Sequence, residues 1–378
     1  MKKLNICFLF LTLIALVSCR TDDVIIPMEV VEGLNPVENT AIKGFYVLNE
    51  GNMGSNKCTL DFFDYTKGTY FRNIYSEINP NVLKELGDVG NDIKIYGSKL
   101  YIVVNVSNTI EVLDAKTAKH IKSIYLQNCR YMTFKGGKAY ASSYAGPVDI
   151  NPLAPKGKVA EIDTVSLTIQ RTATVGYQPE EMEIVGNQLF VANSGGYMVP
   201  NYDRTLSVID LNTFTEKKKI DVAINLHRLK KDNYGDLYVS SRGDYYNVPS
   251  NLYLVDAATG VIKKDFHIAV SEMTIVNDKL YYYGNEFNYN THAYVKTFGI
   301  IDVKTEQVIS NRIIDKEYET IIKTPYGIAV NPITEDIYMT DARNYVSMGF
   351  VYCFDKNGHF KWKTEGGNIP AHFAFLYN

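Results

Sequence analysis

The chain has 378 residues, 46% of them hydrophobic, and a formal net charge of −3 at pH 7. This length and apolar content suffice for a large buried core, and the small negative charge without a basic stripe excludes a nucleic-acid-binding surface. None of the five cysteines has metal-ligand spacing such as C-x-x-C, which excludes a zinc-ribbon type of site.

The N-terminus carries the pattern of a secretory signal peptide. Met1–Lys3 is basic, and the apolar run Leu4–Val17 is too short to span a bilayer as a mature helix. Leu16–Cys19 resembles a lipobox, in which the cysteine is acylated and becomes the new N-terminus. We therefore expect a signal peptide at residues 1–18 and lipidation of Cys19; the alternative is an ordinary signal peptide with an incidental cysteine.

The next stretch has no apolar period. Residues 19–43 contain Pro27, Gly33 and Pro36, a composition typical of a tether. The globular part is predicted at residues 44–378. After the signal and anchor, an odd number of cysteines remains, which allows one internal disulfide at most, with buried thiols as the alternative. These cysteines are Cys58, Cys129 and Cys353.

Seven repeats fill the globular part. In each one an apolar-aromatic dipeptide opens a strand, and a later strand ends in aspartate. The dipeptides are Phe45-Tyr46, Leu100-Tyr101, Ala139-Tyr140, Leu189-Phe190, Leu237-Tyr238, Leu280-Tyr281 and Ile337-Tyr338. The aspartates are Asp64, Asp114, Asp163, Asp210, Asp256, Asp302 and Asp355, spaced 46 to 53 residues apart. This period, with several strands per unit, indicates an all-β propeller rather than a helical solenoid.

Each repeat has a small apolar strand before its dipeptide, and this strand is predicted to line the central channel. Ile93–Ile95 and Met182–Ile184 are examples, each followed by a glycine- or asparagine-containing turn. Several of the aspartates stand in Asp-x-x-Thr turns, as Asp114 does with Thr117. A short carboxylate in such a turn accepts backbone N–H bonds, so we assign these aspartates a structural role.

The last repeat predicts how the ring closes. Ile369–Phe375 resembles an inner strand without partners after it, while the first repeat at Gly44 lacks an inner strand before it. Joining the two closes the ring, removes exposed strand edges and predicts seven blades, the first completed by the C-terminus. An eight-bladed ring would need a cryptic blade between Asp302 and Pro325, a stretch too short for four strands.

These repeats resemble the YVTN-type seven-bladed β-propellers. Leu100–Asn105 and Leu189–Asn193 match the motif from which the name derives. The resemblance covers nearly all of the mature chain and implies the fold, whereas propellers host many unrelated functions.

A ligand is expected where the second-to-third-strand connections meet the starts of the inner strands. These connections are rich in tyrosine and asparagine, which suit a large ligand with many amides or hydroxyls. No nucleophile, zinc-protease or phosphate-loop motif occurs in the sequence. A ring of Asn91, Asp92, Glu180, Glu181 and Glu272 could bind Ca²⁺ with oxygen ligands, an arrangement that resembles metal-dependent propeller lactonases, or the carboxylates could pair with Arg130 and Arg228.

Together, the outer-face lipoprotein pattern at Arg20–Asp23, the YVTN-type ring and the tyrosine-rich mouth resemble the surface cobalamin-capture lipoproteins of Bacteroidetes. The resemblance implies a lipid-anchored outer-membrane protein facing the exterior. Such a protein binds vitamin B12 as a transported ligand and passes it to a TonB-dependent transporter, without catalysis, cofactor or metal. The residues expected to contact the ligand are Tyr144, Tyr197, Tyr202, Arg228, Tyr245, Tyr246, Asn285, Tyr289, Tyr326, Arg343, Asn344 and Tyr345.

Three alternatives remain open at this point. A glycan- or siderophore-binding accessory lipoprotein would have the same kind of mouth. A metal-dependent lactonase would have carboxylates converging on one point. A structural envelope protein would recognise another protein through the same rim.

Overall fold

The computed structural model describes residues 27–34, 41–82 and 85–378. The expected signal peptide at 1–18 and the lipidation site Cys19 lie outside the described residues. No helix within the described ranges is both long enough and apolar enough to cross a membrane.

The described chain is almost entirely β-structure. The first strands are β1 (Glu29–Val31), β2 (Ile42–Asn49), β3 (Thr59–Asp64) and β4 (Thr69–Arg72), followed by the short helix α1 (Ile74–Ile78). Next come β5 (Gly90–Tyr96), β6 (Lys99–Val104), β7 (Thr109–Asp114), β8 (His120–Tyr125), β9 (Cys129–Lys135), β10 (Lys138–Ser143), β11 (Lys158–Asp163), β12 (Thr168–Thr174), β13 (Pro179–Val185), β14 (Gln188–Asn193), β15 (Thr205–Asp210) and β16 (Thr215–Asp221). The remainder comprises β17 (Leu226–Lys231), β18 (Asp236–Ser241), β19 (Asn251–Asp256), β20 (Ile262–Asp265), β21 (Glu272–Val276), β22 (Lys279–Asn288), β23 (Ala293–Asp302), β24 (Gln307–Ser310), α2 (Lys316–Ile321), β25 (Pro325–Val330), β26 (Ile337–Asp341), β27 (Met348–Phe354), β28 (Phe360–Asn368) and β29 (Pro370–Tyr377).

These strands form seven antiparallel sheets, which are the blades of a propeller. Blade 1 has the order β29, β2, β3, β4 and β1 from the inside outward, and blades 2 to 7 each consist of four consecutive strands beginning with β5, β9, β13, β17, β21 and β25. The predicted inner strands Ile93–Ile95 and Met182–Ile184 lie within β5 and β13, the innermost strands of their blades. The all-β seven-bladed fold is thus confirmed.

Ring closure follows the prediction. The C-terminal strand β29 pairs antiparallel with β2, from Gly44 opposite Leu376 to Asn49 opposite Pro370. Sharing one blade between the two ends of the chain gives blade 1 its innermost strand and closes the described ring. The stretch between Asp302 and Pro325 forms only β24 and α2, so it adds no eighth blade.

The repeated dipeptides are explained by how the blades pack. Successive residues of a strand point to opposite faces, so one residue of each dipeptide faces the preceding blade and the other faces the next. Leu100 packs in the core between blades 1 and 2, whereas Tyr101 packs between blades 2 and 3. Ile337 and Tyr338 divide in the same way between the cores on either side of blade 7. The dipeptide therefore marks the strand that joins two inter-blade cores.

The strand-closing aspartates have the structural role assigned to them. Asp114 accepts the backbone N–H groups of Lys116 and Thr117 at 3.0 and 2.9 Å and the Thr117 hydroxyl at 2.8 Å. Asp256 and Thr259 repeat this arrangement in blade 5. These carboxylates stabilise the turns between third and fourth strands.

Two features add detail that the sequence left open. Within the stretch expected to be a tether, Glu29–Val31 pairs with β4 as a fifth, outermost strand of blade 1. The side chain of Arg72 on β4 bonds to Glu29 and, at 3.1 Å, to Glu365 of blade 7. The three remaining cysteines are buried free thiols, so the disulfide alternative is not adopted.

Candidate functional site

One face of the ring gathers the second-to-third-strand connections and the starts of the inner strands; we call it the mouth face. The exposed aromatic side chains of the sequence prediction lie on this face. Tyr197 of blade 4 is 37% exposed, and Tyr246 of blade 5 and Tyr289 of blade 6 are 48% and 49% exposed. The periodic placement of these loops in the repeat therefore brings residues distant in sequence to one surface.

Tyr246 and Tyr289 form the best-defined aromatic surface on the mouth face. Their rings stack with centroids 5.1 Å apart and planes inclined by 23°. The backbone N–H of Tyr289 donates to the Tyr245 carbonyl at 3.0 Å, and the amides of Asn288 and Asn290 donate to the Tyr246 carbonyl at 3.1 and 2.8 Å. These three hydrogen bonds fix the geometry of the pair, which we call the aromatic platform.

Phe287 and Tyr294 extend the platform along the long hairpin of β22 and β23. Phe287 lies 5.0 Å from the Tyr289 ring and 5.1 Å from the Tyr294 ring, and Tyr294 is 54% exposed. These two residues are not among the ligand contacts predicted from the sequence. The unbroken run of polar and aromatic residues between the repeat's second and third strands was the available signal, because it predicts strands that extend beyond the blade.

Asn285 lies at the inner side of this hairpin and is half-buried. Its side-chain oxygen is buried and has no hydrogen-bond partner among the described residues. Nearby, the Ser271 hydroxyl donates to Glu286 at 2.8 Å and accepts the Asn285 backbone N–H at 2.9 Å. Asn285 therefore offers a free acceptor, which a ligand bearing amide N–H groups would satisfy.

Tyr202 and Tyr245 flank the platform from the side of blades 4 and 5, and both are half-buried. Burial is the main cause of the raised pKa of both phenols. Tyr245 has a φ of +64°, a left-handed backbone conformation that its loop imposes. Both hydroxyls are therefore neutral at physiological pH and available as donors.

A cluster of buried charges lies at the centre of the mouth face, around Glu180. Arg130 donates to Glu180 Oε2 through Nη2 and Nε at 3.0 and 3.2 Å, and the Tyr144 hydroxyl donates to Oε1 at 2.5 Å. Arg242 approaches the same Oε1 at 3.5 Å. Burial alone would raise the pKa of Glu180, but Arg130 and Arg242 outweigh it and hold that pKa below its ordinary value. Glu180 is therefore an ionised, fully paired carboxylate.

His227 completes this cluster. Its Nε2 accepts hydrogen bonds from Arg242 Nη2 at 2.7 Å and from the Tyr131 hydroxyl at 3.3 Å. Burial, reinforced by repulsion from the neighbouring arginines, holds the pKa of His227 well below its ordinary value. The ring is therefore neutral, and the two donors at Nε2 place its proton on Nδ1.

Arg228 is buried rather than exposed on the rim. Its Nη2 pairs with Glu272 at 2.6 Å, and its guanidinium lies over the Tyr131 ring, 5.0 Å from the centroid. Tyr144 is likewise buried, 3% exposed, with its ring 6.2 Å from that of Tyr197. Both residues thus support the floor of the mouth, and only Tyr197 of this set reaches solvent.

The five candidate Ca²⁺ ligands do not converge, and the side-chain amide of Asn91 donates to the Arg130 carbonyl at 2.7 Å. Glu180 pairs with Arg130, Glu272 with Arg228, Glu181 with Lys230, and Asp92 with Lys94 at 3.0 Å. Within the described part of the chain, no group of three or more His, Cys, Asp or Glu side chains is placed to hold a metal ion. Of the two alternatives for these carboxylates, pairing with basic side chains is the one observed.

The remaining predicted residues belong to blade 7. The Tyr326 hydroxyl donates to Glu50 at 2.8 Å, His372 contacts the same carboxylate at 3.1 Å, and the Tyr326 and Tyr345 rings meet edge to face at 5.9 Å. Asn344 accepts two backbone N–H groups of its own loop. Tyr326 and Tyr345 thus continue the mouth surface, whereas Asn344 stabilises a turn.

Arg343, also in blade 7, is exposed but committed to its own loop. Its Nη1 donates to the Met348 carbonyl at 3.2 Å, and its guanidinium lies 5.2 Å from the Phe350 ring centroid. Arg343 is therefore held against its own blade by these two contacts.

Beneath the mouth a cavity of about 240 Å³ occupies the central channel. Its wall is charged on one side, where Lys94 and Glu181 lie, and apolar on the other, where Ile328 and Phe373 lie. The cavity is small, so a large ligand would contact the mouth face rather than enter the channel.

The comparisons with known proteins agree with this architecture. Residues 43–375 match the family described as a domain of unknown function, DUF5074, and the chain belongs to that family. No curated protein matches the chain.

Two solved structures share the fold at low sequence identity. A structure titled Kuenenia stuttgartiensis hydrazine synthase has a TM-score of 0.55 at 15% identity, covering 71% of this chain and 77% of that one. The Neurospora crassa Pan2 WD40 domain has a TM-score of 0.51 at 12% identity, covering 76% of this chain and 79% of that one. At this identity the similarity concerns the fold alone.

Proposed function

We propose that this DUF5074 propeller is a capture protein that binds cobalamin on its mouth face. The observation that carries the proposal is the aromatic platform, Tyr246 stacked on Tyr289, which is half exposed and held by hydrogen bonds between two blades. A platform already ordered before binding loses little side-chain entropy when a ligand covers it. This arrangement favours binding rather than chemistry.

The ligand class follows from what surrounds the platform. Asn285 presents an unpaired acceptor among the described residues, and the hydroxyls of Tyr202 and Tyr245 provide donors on the same face. A flat macrocycle edged with amide arms matches this combination of ring faces, donors and acceptors. The resemblance of the repeats and of the N-terminal pattern to cobalamin-capture lipoproteins supports cobalamin as that macrocycle.

The buried charges argue for a binder in a second way. Glu180, Glu272 and Asp92 are each satisfied by a basic partner, so none is left as a free base or nucleophile. We therefore propose a non-enzymatic role with no resident cofactor. The lipobox-like Cys19 supports a lipid-anchored location on the outer membrane, and a TonB-dependent transporter would be the acceptor of the ligand.

The test is calorimetric titration of the protein lacking residues 1–26, with and without chelator treatment, using cyanocobalamin. We expect one-to-one binding that the chelator does not change. The variant Tyr246→Ala/Tyr289→Ala should weaken binding about tenfold or more, since central aromatic anchors dominate such sites. The matched control is Tyr125→Ala, whose side chain is 69% exposed on an outer strand of blade 2.

Absence of binding heat would reject cobalamin and favour a glycan or siderophore as ligand. Equal weakening by the platform variant and by Tyr125→Ala would reject the site while leaving the ligand in place. Loss of binding after chelation would favour the metal-dependent alternative.

A further inference from the structure

Blade 6 has an incomplete outer edge. Its third strand β23 pairs with the fourth strand β24 only from Ile300 opposite Ser310 to Asp302 opposite Gln307. In blade 7 the corresponding fourth strand β28 covers its neighbour along the whole length, from Met348 to Phe354. The chain instead leaves blade 6 after Ser310 and forms α2, so half of β23 has no fourth strand beside it.

The uncovered half is Ala293–Phe298, which we call the open edge. Within the described ranges, no backbone hydrogen bond reaches the open edge from the side opposite β22. Its pairing with β22 contains no bulge, it has no proline, and its lysine, Lys296, is turned aside to donate to the Ile322 carbonyl at 2.8 Å. Natural sheets usually protect an exposed strand edge with a β-bulge, a proline or a charged side chain such as lysine.

A groove of about 550 Å³ runs along the open edge. One wall comprises Ser250 and the segment 267–269 of blade 5, and the other comprises Asn311 and Glu319. The Ser250 hydroxyl and Glu319 Oε1 are buried and lack hydrogen-bond partners among the residues that the structure describes. The groove therefore combines a free strand edge with two side-chain groups that are not satisfied within the chain.

We propose that the open edge binds an extended peptide segment of a partner protein, which adds as the missing fourth strand of blade 6. Evenly spaced backbone donors and acceptors are matched by another backbone in strand conformation. Six residues of strand span roughly 17 Å between their end Cα atoms, enough for a short peptide. The two walls flank residues 295–298 of the edge, and a single extended strand is narrower than the edge of a second folded copy, which favours a peptide as the occupant.

The unsatisfied groups define the chemistry of the peptide. A lysine, serine or threonine side chain on the groove-facing side would donate to Glu319 Oε1 or to Ser250. Apolar side chains on the alternate positions would cover Tyr294, which is 54% exposed and lies on the face of the strand opposite to the groove-lining Val295. The partner segment is therefore an extended stretch that alternates apolar and donor-bearing residues.

The probe for the test is a synthetic peptide copying residues 360–366 of this chain, Phe-Lys-Trp-Lys-Thr-Glu-Gly. This sequence pairs with β27 as part of the full-length fourth strand β28, and along it Phe360 and Trp362 alternate with the donor-bearing Lys361 and Lys363. Amide hydrogen exchange of the protein is measured with and without the peptide. We expect alternate amides of the open edge to exchange about tenfold more slowly when the peptide is bound.

Two controls keep the result specific. The peptide carrying Lys363→Pro lacks a central donor and should give no protection. The protein variant Ala269→Trp should fill the groove and abolish protection, while Ala258→Trp, the same change in an exposed turn of blade 5, should leave it unchanged. Ser250→Tyr narrows the groove from the same wall and serves if Ala269→Trp does not fold.

Unchanged exchange at millimolar peptide would overturn the proposal, as would equal protection by the proline-containing peptide. Protection that appears without peptide and grows with protein concentration would replace it with self-association through the edge. None of these results depends on whether the mouth face binds cobalamin, because the readout is confined to residues 293–298.

Discussion

Removal of the Glu180 carboxylate should destabilise the propeller strongly, because it leaves buried arginines without a partner. Glu180 has no exposed surface, and its two basic partners Arg130 and Arg242 have side chains only 14% and 24% exposed. Breaking a buried pair by removing one partner costs about 3–5 kcal/mol, since the remaining charge stays desolvated. We expect Glu180→Ala to lose an amount in this range of its free energy of unfolding.

The assay is urea unfolding at neutral pH, with the free energy of unfolding taken from the midpoint and the slope. Glu216→Ala is the matched control, because Glu216 faces Lys219 at 4.0 Å on an outer strand, where an ion pair contributes about 0–1 kcal/mol. The double variant Arg130→Met/Glu180→Met should lose less than Glu180→Ala, since it removes both charges at once.

A loss below about 1 kcal/mol for Glu180→Ala would refute this reasoning, because it would mean that water already solvates the arginines. An m-value that changes together with the midpoint would also count against it. In that case the substitution would alter the extent of the folded ring rather than one pair within it.

Two further predictions concern the seam between blades 7 and 1. Burial raises the pKa of Asp61 from its ordinary value to about 6, so folding favours the protonated carboxyl. Its contribution to the stability of the folded protein is therefore complete below pH 4 and is lost as the pH rises through 6. For a pKa raised by about two units, the wild-type protein loses about 3 kcal/mol of its free energy of unfolding. Asp61→Asn cannot ionise, so its free energy of unfolding, measured with urea, should rise relative to that of the wild type between about pH 4.5 and 7.5. A difference between the two proteins that stays constant over this pH range would contradict the prediction. Phe45→Ala should lower the free energy of unfolding by about 3–5 kcal/mol, because it opens a cavity against Tyr338, whose ring lies 4.6 Å away. Phe360→Ala, on an outer strand, should lower the free energy of unfolding far less. Equal losses for the two variants would refute this prediction.

Much of the fold could be predicted because a propeller repeats one physical solution. Each blade must fill a core on both of its faces, so adjacent residues such as Leu100 and Tyr101 are both apolar and recur in every repeat. The turn aspartates recur for an equally local reason, since Asp114 bonds to residues two and three positions further along. Such local and periodic requirements can be read directly from sequence.

The site was less accessible because its contacts are long-range. The mouth loops could be located from the repeat, and Tyr246 and Tyr289 do meet there. Whether a particular mouth residue is exposed depends on partners far away in sequence. Arg228 is buried because Glu272 of the next blade pairs with it, and Tyr144 because Glu180 accepts its hydroxyl. No periodic signal encodes those pairings.

The short fourth strand of blade 6 escaped prediction for a different reason. Outer strands carry no repeated marker such as the apolar-aromatic dipeptide, and only the departure of the chain into α2 after Ser310 shows how much of β23 stays uncovered. A sequence pattern reports the residues that are present, whereas an open edge is defined by a partner strand that stops early. The structure was needed to find it.

The mouth face and the open edge share one hairpin, and this has a thermodynamic consequence. The tip between β22 and β23 carries Tyr289 of the aromatic platform, and the open edge Ala293–Phe298 begins four residues later. A peptide that orders β23 also restricts the tip, so the ligand that binds next has less conformational entropy to lose. Linkage requires the reverse effect to be equal: saturating peptide and saturating ligand must each raise the affinity for the other by the same factor.

Calorimetric titration of cyanocobalamin at zero and saturating peptide measures one side of this equality, and titration of the peptide with and without cyanocobalamin measures the other. Affinities that do not change in either direction would show that the tip is already fully ordered by Asn288 and Asn290, and that the two surfaces act independently.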